Sequence, residues 1–309
     1  MLWQVMILLA GFLFLVKGAD WFVEGAACIA KKLGIPQLVI GLTIVAMGTS
    51  MPEAAVSVTA AMQQNAGITV GNVVGSNILN ILIILGITAV ITNVTIQRST
   101  LHYEIPFMLA VTALLLGFGM TGGRITFTEG VIFWLFFLAY LGYLLVMARK
   151  ENAEEEGAVK DFPVWKCLLL MVLGGILVVK GSDFAVSGAS AIARYFGMSE
   201  RFIGLTIVAL GTSLPELVTS VTAARRGNAG IAIGNIVGSN IFNILFVIGT
   251  AALICPVPFE RKFIADTVIA IGAGVVLWLG TFRNRELRKP CGIVMLLCYA
   301  AYFAYLCVM

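Results

Sequence analysis

Glu53 and Glu216 are the residues of this chain best placed to do chemistry, because each lies in an apolar stretch and the two stretches repeat one another. The first copy reads GLTIVAMGTSMPEAAVSVTAA from Gly41 and resumes as GNVVGSNILNILIILG from Gly71. The second reads GLTIVALGTSLPELVTSVTAA from Gly204 and GNIVGSNIFNILFVIG from Gly234, 163 positions further on and without a gap. A carboxylate within a membrane-length apolar segment is costly and marks a functional site. Two of them at matched places in a duplication point to one cation site built from two halves.

The neighbours of each glutamate are oxygen donors. Thr49 and Ser50 precede Glu53, with the Ala46 carbonyl one turn upstream; Thr212, Ser213 and the Ala209 carbonyl hold the same places before Glu216. The partner segments add Ser76 and Asn80 in the first half, and Ser239 and Asn243 in the second. Calcium takes six to eight hard oxygen ligands, and sodium, also hard, suits the same set. The single histidine, His102, falls outside the repeats, and so does every cysteine. Such a donor set disfavours zinc, copper and iron. Asn72, Asn77, Asn235 and Asn240 share these segments, and some of them read as supports for interrupted backbone instead of ligands.

The same motif predicts a broken helix. Pro52 and Pro215 cannot sit in a helix interior but suit the first turn of a new one, and Gly48 and Gly211 let the chain leave helical geometry just before. Thr49 or Ser50, and Thr212 or Ser213, are expected to cap the restarted helices, with unwound carbonyls near Ala46 and Ala209 turned inward. Irregular backbone at that depth survives only where it is buried or lines a cavity. Gly71/Gly75 and Gly234/Gly238 are small-xxx-small pairs that let helix backbones approach closely.

The elements that must position these residues are transmembrane helices. Mean hydropathy is +1.01, 60% of residues are apolar and 12% are charged, which excludes an ordinary water-soluble domain. Apolar runs of bilayer-spanning length predict ten spans, near 3–28, 36–62, 68–91, 103–120, 126–147, 165–192, 199–224, 230–254, 262–282 and 290–308. The first lacks a basic leading region and a cleavage site, so it reads as a span and not as a secretory leader. The fold expected is all-α and polytopic, a first five-helix repeat over 1–148 (core 39–86) and a second over 167–309 (core 202–249). Residues 149–166, with Glu154, Glu155 and Glu156, form an acidic hinge between them.

Positive charge orients the chain. With the N-terminus outside, the inner loops hold thirteen Lys and Arg residues, including Arg98, Arg149, Arg226 and Arg283, and the outer loops only Arg124, Arg194, Arg201, Arg261 and Lys262. Both termini are therefore expected outside and the linker in the cytosol. Five spans separate each repeated segment from its twin, so the two cross in opposite directions, an inverted-topology duplication with broken helices at the midplane. The net charge of +4 is accounted for by the inner loops and calls for no nucleic-acid partner. Six cysteines, among them Cys28 and Cys167, lack metal-ligand spacing and read as small core residues without a disulfide framework. Lys17/Asp20 and Lys180/Asp183 recur in KGAD and KGSD as i,i+3 pairs or interfacial charges. Glu104 and Asp266 read as interfacial, and Trp3, Trp134, Trp165 and Trp278 as anchors or packing groups.

GTSxPE and GNxxGSNxxN, present in both halves, resemble the two alpha-repeats of the calcium/cation antiporter superfamily, specifically prokaryotic sodium/calcium exchangers, and the resemblance spans the whole chain. It implies an ion site of the Ala46 carbonyl, Thr49, Ser50, Glu53, Ser76 and Asn80 with the Ala209 carbonyl, Thr212, Ser213, Glu216, Ser239 and Asn243. It also implies that calcium and sodium are transported with no prosthetic cofactor, in a prokaryotic plasma membrane and with no obligate protein partner. Some relatives, the potassium-dependent ones included, carry aspartate where this chain has Asn243, so the resemblance argues against potassium dependence here and leaves two acidic ligands. The function expected is a secondary antiporter exchanging calcium for sodium by alternating access. Proton/calcium antiport on the same fold is the alternative, since paired carboxylates in a dry site raise one another's affinity for protons. A channel would need a continuous selectivity filter, and an intramembrane hydrolase would need a nucleophile or histidine pair that does not accompany the glutamates.

Overall fold

The computed structural model describes residues 2–64, 66–150, 160, 162–198 and 209–308. Because lipid offers backbone groups no hydrogen bonds, the apolar runs satisfy themselves as helices. In chain order these are α1 (Leu2–Leu33), α2 (Gln37–Thr49), α3 (Met51–Met62), α4 (Gly67–Ile91), α5 (Thr100–Gly122) and α6 (Phe127–Lys150). The second half gives α7 (Val164–Tyr195), α8 (Ala209–Thr212), α9 (Leu214–Arg225), α10 (Ala229–Ile254), α11 (Arg261–Phe282) and α12 (Lys289–Val308). Among the described residues eight helices are long and apolar enough to span a bilayer, and the bent pair α2–α3 makes a ninth. The remaining expected span, 199–224, begins in residues 199–208, which lie outside the described set, as do Glu154, Glu155 and Glu156.

Helices α4 and α10 form the centre. Residues 230–245 of α10 are buried without interruption, which is why this stretch carries no polar face apart from its asparagines and serine. Each central helix contains a π-helical turn at the same place in its repeat, Asn80–Leu85 and Asn243–Ile248. Such turns shift the register of side chains around the helix and recur at functional sites.

The long helices α1 and α7 pack along one another in antiparallel fashion through glycine. Gly11, Gly18 and Gly25 recur every seven residues in α1, and Gly174, Gly181 and Gly188 do so at their twin positions in α7. A Cβ on Gly25 would lie 2.5 Å from the Met171 amide nitrogen, and one on Gly181 would lie 2.6 Å from that of Leu15. These contacts are with backbone, so no side chain can be accommodated and the two helices meet at the closest distance available. Their approach also joins Cys28 to Cys167 in a disulfide, with Cα atoms 5.8 Å apart. That corrects the expectation that all six cysteines stand alone: 139 residues separate the pair, and only the packing of α1 on α7 reveals it.

Short antiparallel bridges tie the loops of opposite halves. β1 (Val94–Thr95) pairs with β4 (Glu286–Leu287), and β2 (Arg124–Ile125) with β3 (Val257–Pro258). The loops of 92–99 and 283–288 therefore share one face of the bundle, and those of 123–126 and 255–260 share a face as well.

One asymmetry stands out between the halves. Helix α1 packs extensively along α9, whereas the mirror-related pair, α7 and α3, makes only slight contact among the described residues. At the end of the α1–α9 contact Arg226 binds Asp20 at 2.8 Å and Glu24 at 3.2 Å, and Lys160 binds Glu24 at 3.0 Å. Asp20 thus pairs between helices, while Lys180 and Asp183 make the expected i,i+3 contact at 3.4 Å.

Candidate functional site

Ser50 and Ser213 interrupt their helices, with φ/ψ of −84°/7° and −92°/4°, and each stands immediately before a helix whose first turn holds the proline and the glutamate. The axis bends by 51° between α2 and α3. The break falls at one of the two residues expected to begin the second helix, but the unwinding does not reach back to Ala46. Ala46 is still helical, its carbonyl accepts the Ser50 amide at 3.0 Å, and the preceding irregularity is a π-helical turn over Gly41–Val45 instead of unwound chain. The Ala46 carbonyl nevertheless turns toward the other repeat, where Ser239 Oγ donates to it at 3.3 Å. Close approach makes this possible: a Cβ on Gly238 would lie 2.7 Å from the Leu42 carbonyl oxygen.

Neither serine caps its helix through its side chain. Ser50 Oγ instead donates to Glu216 Oε1 at 2.8 Å, and Ser213 Oγ donates to Glu53 Oε1 at 3.5 Å. Each glutamate is thereby held by the serine of the opposite repeat. The hydroxyls give up a cap, worth roughly 1 kcal/mol, for contacts with carboxyl oxygens across the junction, the one from Ser50 short and the one from Ser213 long. Ser76 lies beside the Glu53 carboxyl and Thr49 beside that of Glu216. Thr49 Oγ1 lies 3.0 Å from Asn235 Oδ1. Ala209 and Thr212 bound the short α8, next to residues outside the described set.

Second supports keep the glutamate backbones in place. Asn72 Nδ2 donates to the Glu53 carbonyl at 3.2 Å and to Ser57 Oγ at 2.9 Å; Asn235 Nδ2 donates to the Glu216 carbonyl at 3.4 Å and to Ser220 Oγ at 2.9 Å. These two asparagines brace the interrupted helices, one of the two roles open to them from sequence. Ser57 and Ser220 were missed, although both lie four residues after their glutamate in the repeat.

Glu53, Glu216, Ser50, Ser213, Thr49, Ser76, Ser239, Asn80 and Asn243 are all at most 4% exposed, so the centre is screened from bulk water. Several buried oxygens lack a hydrogen-bond partner, and two sets of them occupy twin positions: Glu53 Oε2 with Glu216 Oε2, and Asn80 Oδ1 with Asn243 Oδ1. A buried acceptor without a donor costs roughly 1–3 kcal/mol. Among the described residues no three of His, Cys, Asp and Glu gather anywhere. The available chemistry is that of two carboxylates among neutral oxygens, suited to hard cations.

Glu104 sits differently from expectation, buried and accepting a bond from the Tyr143 hydroxyl, while Asp266 is half-buried and accepts one from Tyr302 at 3.0 Å. Trp134 donates to Thr250 and Trp278 to the Leu101 carbonyl, as packing groups, while Trp3 and Trp165 are exposed.

Inverted helical repeats, helices broken beside buried carboxylates and an oxygen-only centre define a class: polytopic membrane proteins that move cations. The sequence matches the sodium/calcium exchanger protein family over residues 3–146 and 166–308. It is 38% identical to the putative antiporter CaxA of Alkalimonas amylolytica, covering 98% of each chain. It is 33% identical to the sodium/calcium exchanger MaX1 of Methanosarcina acetivorans, covering 97% of each. The fold superposes on the solved structure of the sodium-calcium exchanger NCX_Mj with a TM-score of 0.86, at 32% identity over 98% of both chains. The chain belongs to the sodium/calcium exchanger protein family. It is an integral membrane ion exchanger of prokaryotic type, and not an enzyme.

Proposed function

We propose that this protein is a secondary antiporter that exchanges calcium for sodium by alternating access, holding the ion between Glu53 and Glu216. The observation that carries this reading is the pair of twin oxygen sets, two carboxylate and two carboxamide, buried without donors at the junction of the repeats. One calcium neutralises two carboxylates, and sodium ions do so in its place. Competition for the same oxygens couples the two fluxes without a nucleotide. The ligand set comprises the Ala46 and Ala209 carbonyls with Thr49, Ser50, Ser76, Asn80, Thr212, Ser213, Ser239 and Asn243 around the glutamates.

Both termini lie outside and the linker in the cytosol, on the distribution of Lys and Arg. In that orientation the α1–α9 contact, with Arg226 at its end, closes the cytosolic side, and the slack between α7 and α3 opens the outer side. The resting state is then outward-facing.

Calcium uptake into proteoliposomes under imposed sodium, potassium and proton gradients tests the reading. Uptake should follow an outward-directed sodium gradient and persist when the proton gradient is collapsed. Uptake that follows protons and ignores sodium would identify proton/calcium antiport instead.

A further inference from the structure

Four asparagines form a closed arrangement where α4 crosses α10. Asn77 Nδ2 donates to the Asn240 carbonyl oxygen at 3.2 Å, and Asn240 Nδ2 donates to the Asn77 carbonyl oxygen at 3.2 Å. The side-chain oxygens of this pair face the other way. Asn240 Oδ1 accepts from Asn80 Nδ2 at 2.9 Å, and Asn77 Oδ1 accepts from Asn243 Nδ2 at 3.2 Å. All four residues are at most 3% exposed, so water does not compete for these groups.

The consequence lies in the chemistry of a carboxamide, which has a donor end and an acceptor end. With its NH2 engaged by Asn240, Asn80 has only its oxygen left to present, and that oxygen has no hydrogen-bond partner. Asn243 is in the same position through Asn77. Flipping Asn80 would set its oxygen against Asn240 Oδ1. Flipping Asn240 in response would set an oxygen against the Asn77 backbone carbonyl, which cannot turn. The chain of amides therefore ends on two fixed main-chain acceptors, and its direction is dictated by them.

We propose that Asn77 and Asn240 are positioning residues for the ion site: they fix the carboxamides of Asn80 and Asn243 with oxygen, not NH2, toward the cation. This rests on the ion site proposed above. An NH2 turned inward would remove a ligand and place a partial positive charge beside the ion, at a site that must supply calcium with six to eight oxygens. Every bond in the arrangement runs between repeats, so the orientation of each half-site depends on the other half being docked. The mirror pair repeats the same logic with independent residues.

The test is a double-mutant cycle read as calcium affinity by titration calorimetry on the purified, detergent-solubilised full chain. Asn80→Ala removes the proposed ligand, and Asn240→Leu removes the group that orients it. Each alone should weaken calcium binding roughly tenfold or more, and the double variant should bind no worse than Asn80→Ala. Asn240→Thr, whose hydroxyl is too short to reach both partners, replaces the leucine variant if that one does not fold, with the same expectation. If Asn80→Ala weakens binding but Asn240→Leu or Asn240→Thr does not, or their losses multiply fully, the positioning role is wrong while the ion site stands. If Asn80→Ala and Asn243→Ala both bind calcium like the parent, the ion site itself is misplaced.

Discussion

Ser50 Oγ donates to Glu216 Oε1 at 2.8 Å, so a residue of the first repeat holds the carboxylate of the second. The reverse contact, Ser213 to Glu53 at 3.5 Å, completes an exchange of side chains between the halves. Neither half-site is whole without the other. Ala46 and Ser239 meet across the same junction, as do the four asparagines. The two repeats thus meet at the proposed ion site, with the remaining helices arranged around it.

Glu53→Gln and Glu216→Gln should each abolish sodium-driven calcium flux while leaving the protein folded in the membrane. Either change removes half of the acidic charge from a dry centre, where an unmatched divalent ion is penalised most. A fall of about two orders of magnitude or more is expected for each. The measurement is calcium uptake by reconstituted vesicles, with monodispersity on gel filtration as the control for folding. Near-normal flux from either variant would remove that glutamate from the site.

Arg226→Gln should raise the share of molecules open to the cytosol. The twin of Arg226 is Gln63, and the twins of Asp20 and Glu24 are Asp183 and Ser187, so a cation clasps α1 to α9 at one face and none occupies the mirror position. Arg226 and Asp20 are each about one-third exposed (34% for both side chains), which limits the clasp to the range of partly solvated pairs. About 0.2–1 kcal/mol per pair implies a shift of only a few-fold. A cysteine at Val218, which packs against the cluster of Leu15 and Ala19 from α1 with Val178 and Ala185 from α7, reports it in a background free of native cysteines. Its labelling by a membrane-impermeant maleimide from the cytosolic side should quicken in Arg226→Gln. Equal rates in parent and variant would make the clasp ornamental.

Tying α1 to α9 should stop transport, because alternating access requires that contact to open. Asp20→Cys and Arg226→Cys, joined by a short cleavable bis-thiosulfonate in the same cysteine-free background, should lose flux and regain it on reduction. The natural Cys28–Cys167 bond makes the contrast. It joins α1 to α7, and these two helices are already locked through their glycines. Cys28→Ser with Cys167→Ser should therefore transport like the parent. Full flux with the engineered bridge formed would rule out sliding of α1 on α9.

The centre was legible in the sequence because duplication prints it twice. Glu53 and Glu216, their serines and the prolines that restart the helices stand at one fixed offset. The partners of those groups were hidden, since hydrogen bonds such as Ser50 to Glu216 cross 166 residues. Gly48 and Pro52 bracket the break at Ser50, whereas the unwinding expected as far back as Ala46 is absent. The helix in fact persists to Thr49, passing through a widened, π-helical turn at Gly41–Val45. The seven-residue glycine spacing of α1 and α7 was visible at the same offset of 163, yet it lies outside the obvious repeats, in segments where glycine is unremarkable. Glu104 reads as interfacial by its place near a span end, yet it is buried with a bond from Tyr143, 39 residues on.

Asn243→Asp should make calcium flux sensitive to pH and to potassium. Asn243 Nδ2 donates to Asn77 Oδ1, and an ionised aspartate has no proton to offer there. Two oxygens would then face each other at about the distance of a hydrogen bond, beside two further carboxylates. Three crowded carboxylates do not all ionise cheaply, so the group takes up a proton or an additional monovalent cation. At low pH the protonated aspartate mimics the carboxamide, donating to Asn77 and presenting its other oxygen inward, and flux should resemble the parent's. As pH rises the proton is lost, and flux should fall unless potassium is supplied. The parent, with a permanent NH2 in that place, should respond little to potassium at any pH. Calcium uptake measured across pH with potassium present and absent decides the matter: coincident curves for parent and variant would mean that residue 243 does not face the ion.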